Sequence, residues 1–124
     1  MESAVVTGAN GFVGGALVRD LLANGIEVYA AVHGGNRSNL EDAKGLHVID
    51  FDVTDASGLL GKIPEGACDT FYDFAWDGSA GQKRADVDLQ LDNARWTVDA
   101  LRVSKELGCR RFLHAGSIME HETM

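Results

Sequence analysis

Short apolar runs rich in β-branched residues alternate along this chain with longer stretches in which apolar residues recur every three or four positions. Ala4-Val5-Val6 is the first such run and suits a buried strand. Val13, Ala16, Leu17 and Leu21 then follow the spacing of an amphipathic helix. Ala23-Asn24-Gly25 stops it, with Gly25 fitted to the left-handed position past a helix end. Glu27–Val32 reads as a second strand, and His33–Asn39 as a loop leading to a short helical piece over Leu40–Lys44. His47–Asp50 is a third strand, after which Thr54 or Asp55 is placed to cap a helix through about Leu60. Gly61–Gly66, with the only proline, is a loop. Thr70–Ala75 is a fourth strand and Arg110–Ala115 a fifth.

Between them runs a long helix from about Gln82 to Leu107, ended by Gly108. It carries two apolar stripes. Val87, Leu91, Ala94, Val98 and Leu101 are expected to pack on the sheet. Leu89, Trp96, Ala100, Val103 and Leu107 form a second face, left for self-association or for another helix. Strands alternating with helices predict an α/β, Rossmann-like, doubly wound parallel sheet of about five strands. The expected order is 3-2-1-4-5, with a ligand crevice where the order reverses, at the carboxyl ends of strands one and four.

That crevice gives meaning to Thr7-Gly8-Ala9-Asn10-Gly11-Phe12-Val13-Gly14, which spans the turn from the first strand into the first helix. Gly8 permits a tight turn, Gly11 lets a pyrophosphate approach the backbone, and Gly14 lets the helix pack closely. The turn residues Gly8, Asn10 and Gly11, with Phe12, Val13 and Gly14 at the helix start, are the candidate phosphate contacts. The alternative is an ordinary strand–helix turn that binds nothing. At the end of strand two, where a carboxylate would hold the ribose of NAD, stands His33-Gly34-Gly35-Asn36-Arg37. His33 and Arg37 lean the choice toward the 2′-phosphate of NADP, with NAD kept as the alternative.

Composition narrows the partners. The chain has 124 residues, enough for one core, with 45% hydrophobic and 24% charged positions, as in ordinary globular proteins. A formal charge of -8 argues against nucleic acid and anionic membranes. No run approaches the ~18 apolar residues of a membrane span. Glu2 followed at once by a strand does not resemble a signal peptide, so a cytoplasmic location with Cys68 and Cys109 reduced is expected. His33, His47, His114 and His121 have no ligand spacing, and no metal is expected.

Taken together, these residues resemble the extended short-chain dehydrogenases/reductases, in their NAD(P)-dependent epimerase/dehydratase branch. Thr7 to Gly14 fits that family's T-G-x-x-G-x-x-G. The resemblance implies that Asp52-Val53 flanks the adenine ring, although Asp52 could instead only cap a turn. It also implies that Phe74-Ala75-Trp76 packs along the cofactor, with Trp76 departing from the small residue usual there. Asn93 fits a helix asparagine that supports the active-site strand, and Ser117 fits the family's catalytic serine or threonine, or else a strand-end serine bonding its own backbone.

The family's Tyr-x-x-x-Lys has no counterpart among these residues; the two tyrosines, Tyr29 and Tyr72, meet His33 and Trp76 four positions on. In the family that tyrosine is the general acid/base. The chain is therefore expected to be an incomplete NAD(P)-binding domain over residues 1–124, a fragment or a natural truncation after strand five, lacking further strands and a substrate lobe. It is expected to belong to an oxidoreductase acting on a nucleotide sugar or similar carbonyl/hydroxyl substrate, binding cofactor without turnover by itself. The alternative is a non-catalytic dinucleotide-binding or oligomeric module, and self-association through the helix at about 82–107 is expected in either case.

Overall fold

Five parallel strands form one sheet in the order β3-β2-β1-β4-β5, as the alternation of elements predicted. The structure is a computed structural model and describes residues 3–35, 40, 43–75 and 86–114. The strands are β1 (Ser3–Thr7), β2 (Glu27–Val32), β3 (Leu46–Asp50), β4 (Thr70–Asp73) and β5 (Arg111–His114). Between them lie α1 (Phe12–Ala23), a single 3-10 turn at His33–Gly35 where a loop was expected, a 3-10 helix at Ala56–Gly61, and α2 (Val87–Glu106). The order reverses between β1 and its two neighbours. Val5 pairs with Tyr29 of β2 and with Phe71 of β4.

Each face of the sheet has its own core. On one, Ala4, Val6, Val28 and Ala30 pack with Val18 and Leu21 of α1. On the other, Val5, Ala31 and Phe71 pack with Leu59 and Ile63 and with Ala100, Val103 and Leu107 of α2. Strand residues alternate between the two clusters because successive side chains point to opposite faces. β1 is buried throughout, as a central parallel strand must be.

Several expectations are corrected. The buried face of α1 is Gly14, Gly15, Val18 and Leu21; Val13 is 61% exposed and Ala16 is exposed. Leu21, and Leu17 packed against the same core, keep the expected stripe, while Gly14, Gly15 and Val18 replace Val13 and Ala16 in it. On α2 the two stripes exchange roles. Ala100, Val103 and Leu107 are buried, whereas Val87, Leu91 and Val98 are exposed. Packing of α2 against the 3-10 helix selects the face that ends at Leu107, beside the turn into β5. α2 starts at Val87, with Asp86 extended and its carboxylate accepting from the Leu89 N–H; residues 82–85 of the expected start lie outside the described residues.

Lys44 and Gly45 form a turn instead of the end of a helix; residues 41–42 lie outside the described residues. The segment after β3 is a 3-10 helix, and Asp55 at its start accepts from the Ser57 hydroxyl rather than capping a backbone N–H. Gly58 and Gly61 in so short a piece disfavour a full α-helix. Among the described residues, no helix is long and apolar enough to cross a membrane.

Candidate functional site

A cleft of about 520 Å³ opens at the carboxyl ends of β1, β2 and β4, at the reversal of strand order. Gly8, Asn10, Gly11, Ala31, His33, Phe51, Asp52, Val53, Thr54, Phe74 and Ala75 line it. The glycine turn forms one wall because two of its positions admit no side chain. Gly8 has φ +66, and a Cβ there would stand 3.0 Å from the Ala75 nitrogen and the Phe74 carbonyl carbon. A Cβ at Gly14 would stand 2.3 Å from the Gly8 carbonyl oxygen, so the helix seats directly on the turn.

Gly11 is the N-cap of α1 and supplies no side-chain oxygen, and the first turn of α1 holds no acidic residue. Its leading N–H groups and the positive end of the helix dipole therefore suit an anion. These are features of an anion-binding turn made from backbone.

At the far wall, Asp52 is held by its neighbour. Thr54 donates its N–H (2.9 Å) and its hydroxyl (2.7 Å) to Asp52 Oδ1. The Thr54 hydroxyl bond first, then its backbone N–H, holds the Asp52 carboxyl below its usual pKa. Asp52 thus caps a turn and also lines the cleft.

Under the turn, Thr7 Oγ1 donates to Asp73 Oδ1 at 2.7 Å and accepts from the N–H groups of Phe74 (3.0 Å) and Ala75 (3.1 Å). This ends β4 at Asp73, two residues earlier than its apolar run suggests, because those N–H groups turn to the hydroxyl instead of a ladder. Asp73 is 3% exposed, and its other oxygen lies 3.3 Å from His114 Nδ1. Burial pushes the Asp73 carboxyl above its usual pKa, while the Thr7 hydrogen bond and His114 pull it back.

Of the residues singled out from sequence, Gly8, Asn10, Gly11, His33, Asp52, Val53, Phe74 and Ala75 meet in this cleft. Phe12 (93% exposed), Val13 and Gly14 stand beside it at the start of α1 without lining it. Asn93 is buried, with Nδ2 donating to the Leu89 carbonyl within its own helix. Arg37, Trp76 and Ser117 lie outside the described residues. Sequence reasoning missed Ala31, Phe51 and Thr54, and it missed the Thr7–Asp73–His114 chain. A carboxylate set in the aromatic run Phe71–Phe74 was the available signal for the last.

The sequence matches the family described as NAD dependent epimerase/dehydratase over residues 4–122. The chain belongs to that family. A search of curated protein sequences gave no match. Among solved structures it is similar to the epimerase Mth375 of Methanothermobacter thermautotrophicus, with TM-score 0.76 and 22% identity over 94% of this chain and 35% of that one. A UDP-galactose 4-epimerase gives TM-score 0.76 and 24% identity over 94% of this chain and 38% of its own. The UDP-glucose 4-epimerase of Thermus thermophilus, solved with NAD, gives TM-score 0.70 and 26% identity over 89% and 36%. This epimerase/dehydratase chain thus spans little more than a third of the length of the structures it resembles. Its glycine turn, Asp52-Val53 and Phe74-Ala75 occupy the crevice expected of a Rossmann-like member of the family.

Proposed function

We propose that this chain holds a nicotinamide dinucleotide in the 520 Å³ cleft, as the cofactor-binding part of an epimerase/dehydratase-type oxidoreductase. One observation carries the reading: the glycine turn, the pair Asp52-Val53 and the strand end Phe74-Ala75 line a single cleft at the reversal of strand order. The diphosphate would lie on the backbone of Gly8–Gly11 and the start of α1, the adenosine toward His33 and Asp52. Phe74 and Ala75 would run along the remainder. The bound nicotinamide would supply or accept a hydride at a substrate carbon.

His33 lines the cleft where a carboxylate would select NAD, so the reading favours NADP. The solved Thermus relative with NAD sets the alternative. For the substrate, the UDP-hexose epimerases among the similar structures support a nucleotide sugar. Ser117 would polarise the substrate oxygen. Because these 124 residues contain no Tyr-x-x-x-Lys, the chain by itself would bind without turnover. Self-association would use the exposed stripe Val87, Leu91 and Val98 of α2. Calorimetric titration with NADP and NAD in parallel tests the core of this reading. Saturable binding of either supports it, and binding of neither removes it.

A further inference from the structure

We propose that Cys68 and Cys109 form a covalent modification site, two thiols side by side in the folded chain that a low-molecular-weight disulfide closes into an intrachain bridge. The site is independent of the dinucleotide reading. Both residues precede their strands and stand at the amino ends of the sheet, opposite the cleft.

The two free cysteines are brought together by the pairing of β4 with β5. Thr70 is the register partner of Arg111, so two steps back along each strand lead to Cys68 and Cys109. Backbone contacts hold that alignment on both sides of the pair. On the strand side, the Asp69 carbonyl accepts from the N–H groups of Arg110 (2.7 Å) and Arg111 (3.2 Å). On the other side, the Gly66 N–H donates to the Leu107 carbonyl at 2.8 Å, and a Cβ on Gly108 would stand 3.6 Å from the Gly66 Cα. Gly66 (φ +78) and Gly108 (φ +85) are both left-handed, which turns the two segments into this approach. The cysteines lie between these two clamps. Neighbouring strands run about 4.8 Å apart, within the ~4.4–6.8 Å that separates the Cα atoms of a disulfide.

Both side chains face one core. The chain bends at Asp69 and at Arg110, and Cys68 joins the cluster of Ile63, Phe71 and Leu107 while Cys109 packs against it. Burial pushes the Cys68 thiol up to about 11; a hydrogen bond with Ser3 pulls it back, and charge on the nearby Cys109 sulfur pushes it up again. Exposure gives the two sulfurs different roles. Cys68 is 3% exposed, whereas Cys109 is only partly buried. A reagent from solvent therefore meets Cys109, and Cys68 meets Cys109.

The reaction is two successive thiol–disulfide exchanges. The Cys109 thiolate attacks one sulfur of the small disulfide, forming a mixed disulfide and releasing one small thiolate. Cys68, its proton passed to water, then attacks the Cys109 sulfur. The Cys68–Cys109 bond forms, the bond from Cys109 to the small thiol breaks, and a second small thiolate leaves. The chain gives up two electrons and two protons, and the small disulfide is reduced to two thiols. An alkylating reagent has no such route to Cys68 and must wait for unfolding.

Oxidised glutathione at about pH 8, added to the whole chain at low protein concentration, tests this by intact mass and thiol count. Wild type is expected to lose both thiols, end two hydrogens lighter and retain no glutathione, and digestion should yield a peptide pair joining Cys68 to Cys109. Dithiothreitol should restore both thiols. Cys68→Ala should instead keep one glutathione on Cys109, and Cys109→Ala should keep its thiol free. In wild type the bridge should form at least roughly tenfold faster than oxidised glutathione modifies Cys68 in Cys109→Ala, as proximity in the folded state requires.

A wild type that stops at the Cys109–glutathione mixed disulfide, as Cys68→Ala does, would overturn the proposal. So would a bridge between two chains in place of one within a chain, or two thiols that both survive. A bridge that forms only as fast as Cys109→Ala is modified would place the reaction in the unfolded chain and overturn it equally.

Discussion

Gly14→Ala is the substitution for which the structure and ordinary propensity disagree most sharply. Alanine is the best helix former, and replacing an interior helix glycine commonly gains about 1 kcal/mol. Here the added Cβ would stand 2.3 Å from the Gly8 carbonyl oxygen and 3.0 Å from its carbonyl carbon. Ordinary contact begins at 3.4 Å, so the shortfall is about 1 Å, and the opposing atoms are backbone that no rotamer change can move. Overpacking of this kind costs about 1–3 kcal/mol. Taking the upper end, since the turn or the helix must shift bodily, the net loss is about 2 kcal/mol. For a chain of this size that lowers Tm by roughly 6–12 °C.

Gly61→Ala serves as the control, because a Cβ there meets nothing within 4 Å and φ is not left-handed. It should be neutral or stabilising by about 0.4–1 kcal/mol. Urea denaturation of the three proteins, with dinucleotide titration of each, reads both quantities. A Gly14→Ala chain as stable as Gly61→Ala, with unchanged dinucleotide affinity, would refute the close seating of α1 on the turn.

Three further outcomes are expected. Burial raises the Asp73 pKa, so the folded state holds its proton more tightly than the unfolded chain; that contribution is fully present below the unfolded pKa and is lost as pH rises through the folded one. The stability of Asp73→Asn relative to wild type, from denaturant melts, should therefore increase as pH rises from about 4. Burial also pushes the Cys68 thiol up to about 11, and the residue is 3% exposed, so Cys109 should react first with a thiol reagent and Cys68 only at the rate of unfolding. Leu91→Glu, at a position 60% exposed, should leave stability within about 0.5 kcal/mol but shift any oligomer to monomer in sedimentation.

The strand order was legible because apolar runs and helical spacings alternate cleanly, and the cleft because its glycine turn, Asp52-Val53 and Phe74-Ala75 are each local in sequence. What was not legible depends on distant contacts. Val87-Leu91-Ala94-Val98 and Trp96-Ala100-Val103-Leu107 are both apolar at helical spacing, and nothing within the helix decides which one meets the sheet. The 3-10 helix decides it, through a core that no local window contains. The early end of β4 likewise depends on Thr7, 67 positions from Phe74. The close approach of α1 was legible at Gly14, whereas the exposure of Val13 and Ala16 was not, since apolar spacing alone places them on the same stripe as Leu17 and Leu21.

The proposed dinucleotide site is the cleft above the glycine turn. A second cleft, of about 270 Å³, lies at the opposite, amino ends of the strands and is lined by Ser3, Leu21, Ile26, Asp69 and Arg111, so position can be tested as well as affinity. Backbone amide shifts on titration with NADP, and with NAD, measure this most directly. Saturable shifts are expected at Gly8, Asn10, Gly11, Asp52, Val53 and Ala75, with Ile26, Asp69 and Arg111 unmoved. Shifts confined to the second group, or none with either dinucleotide, would contradict it.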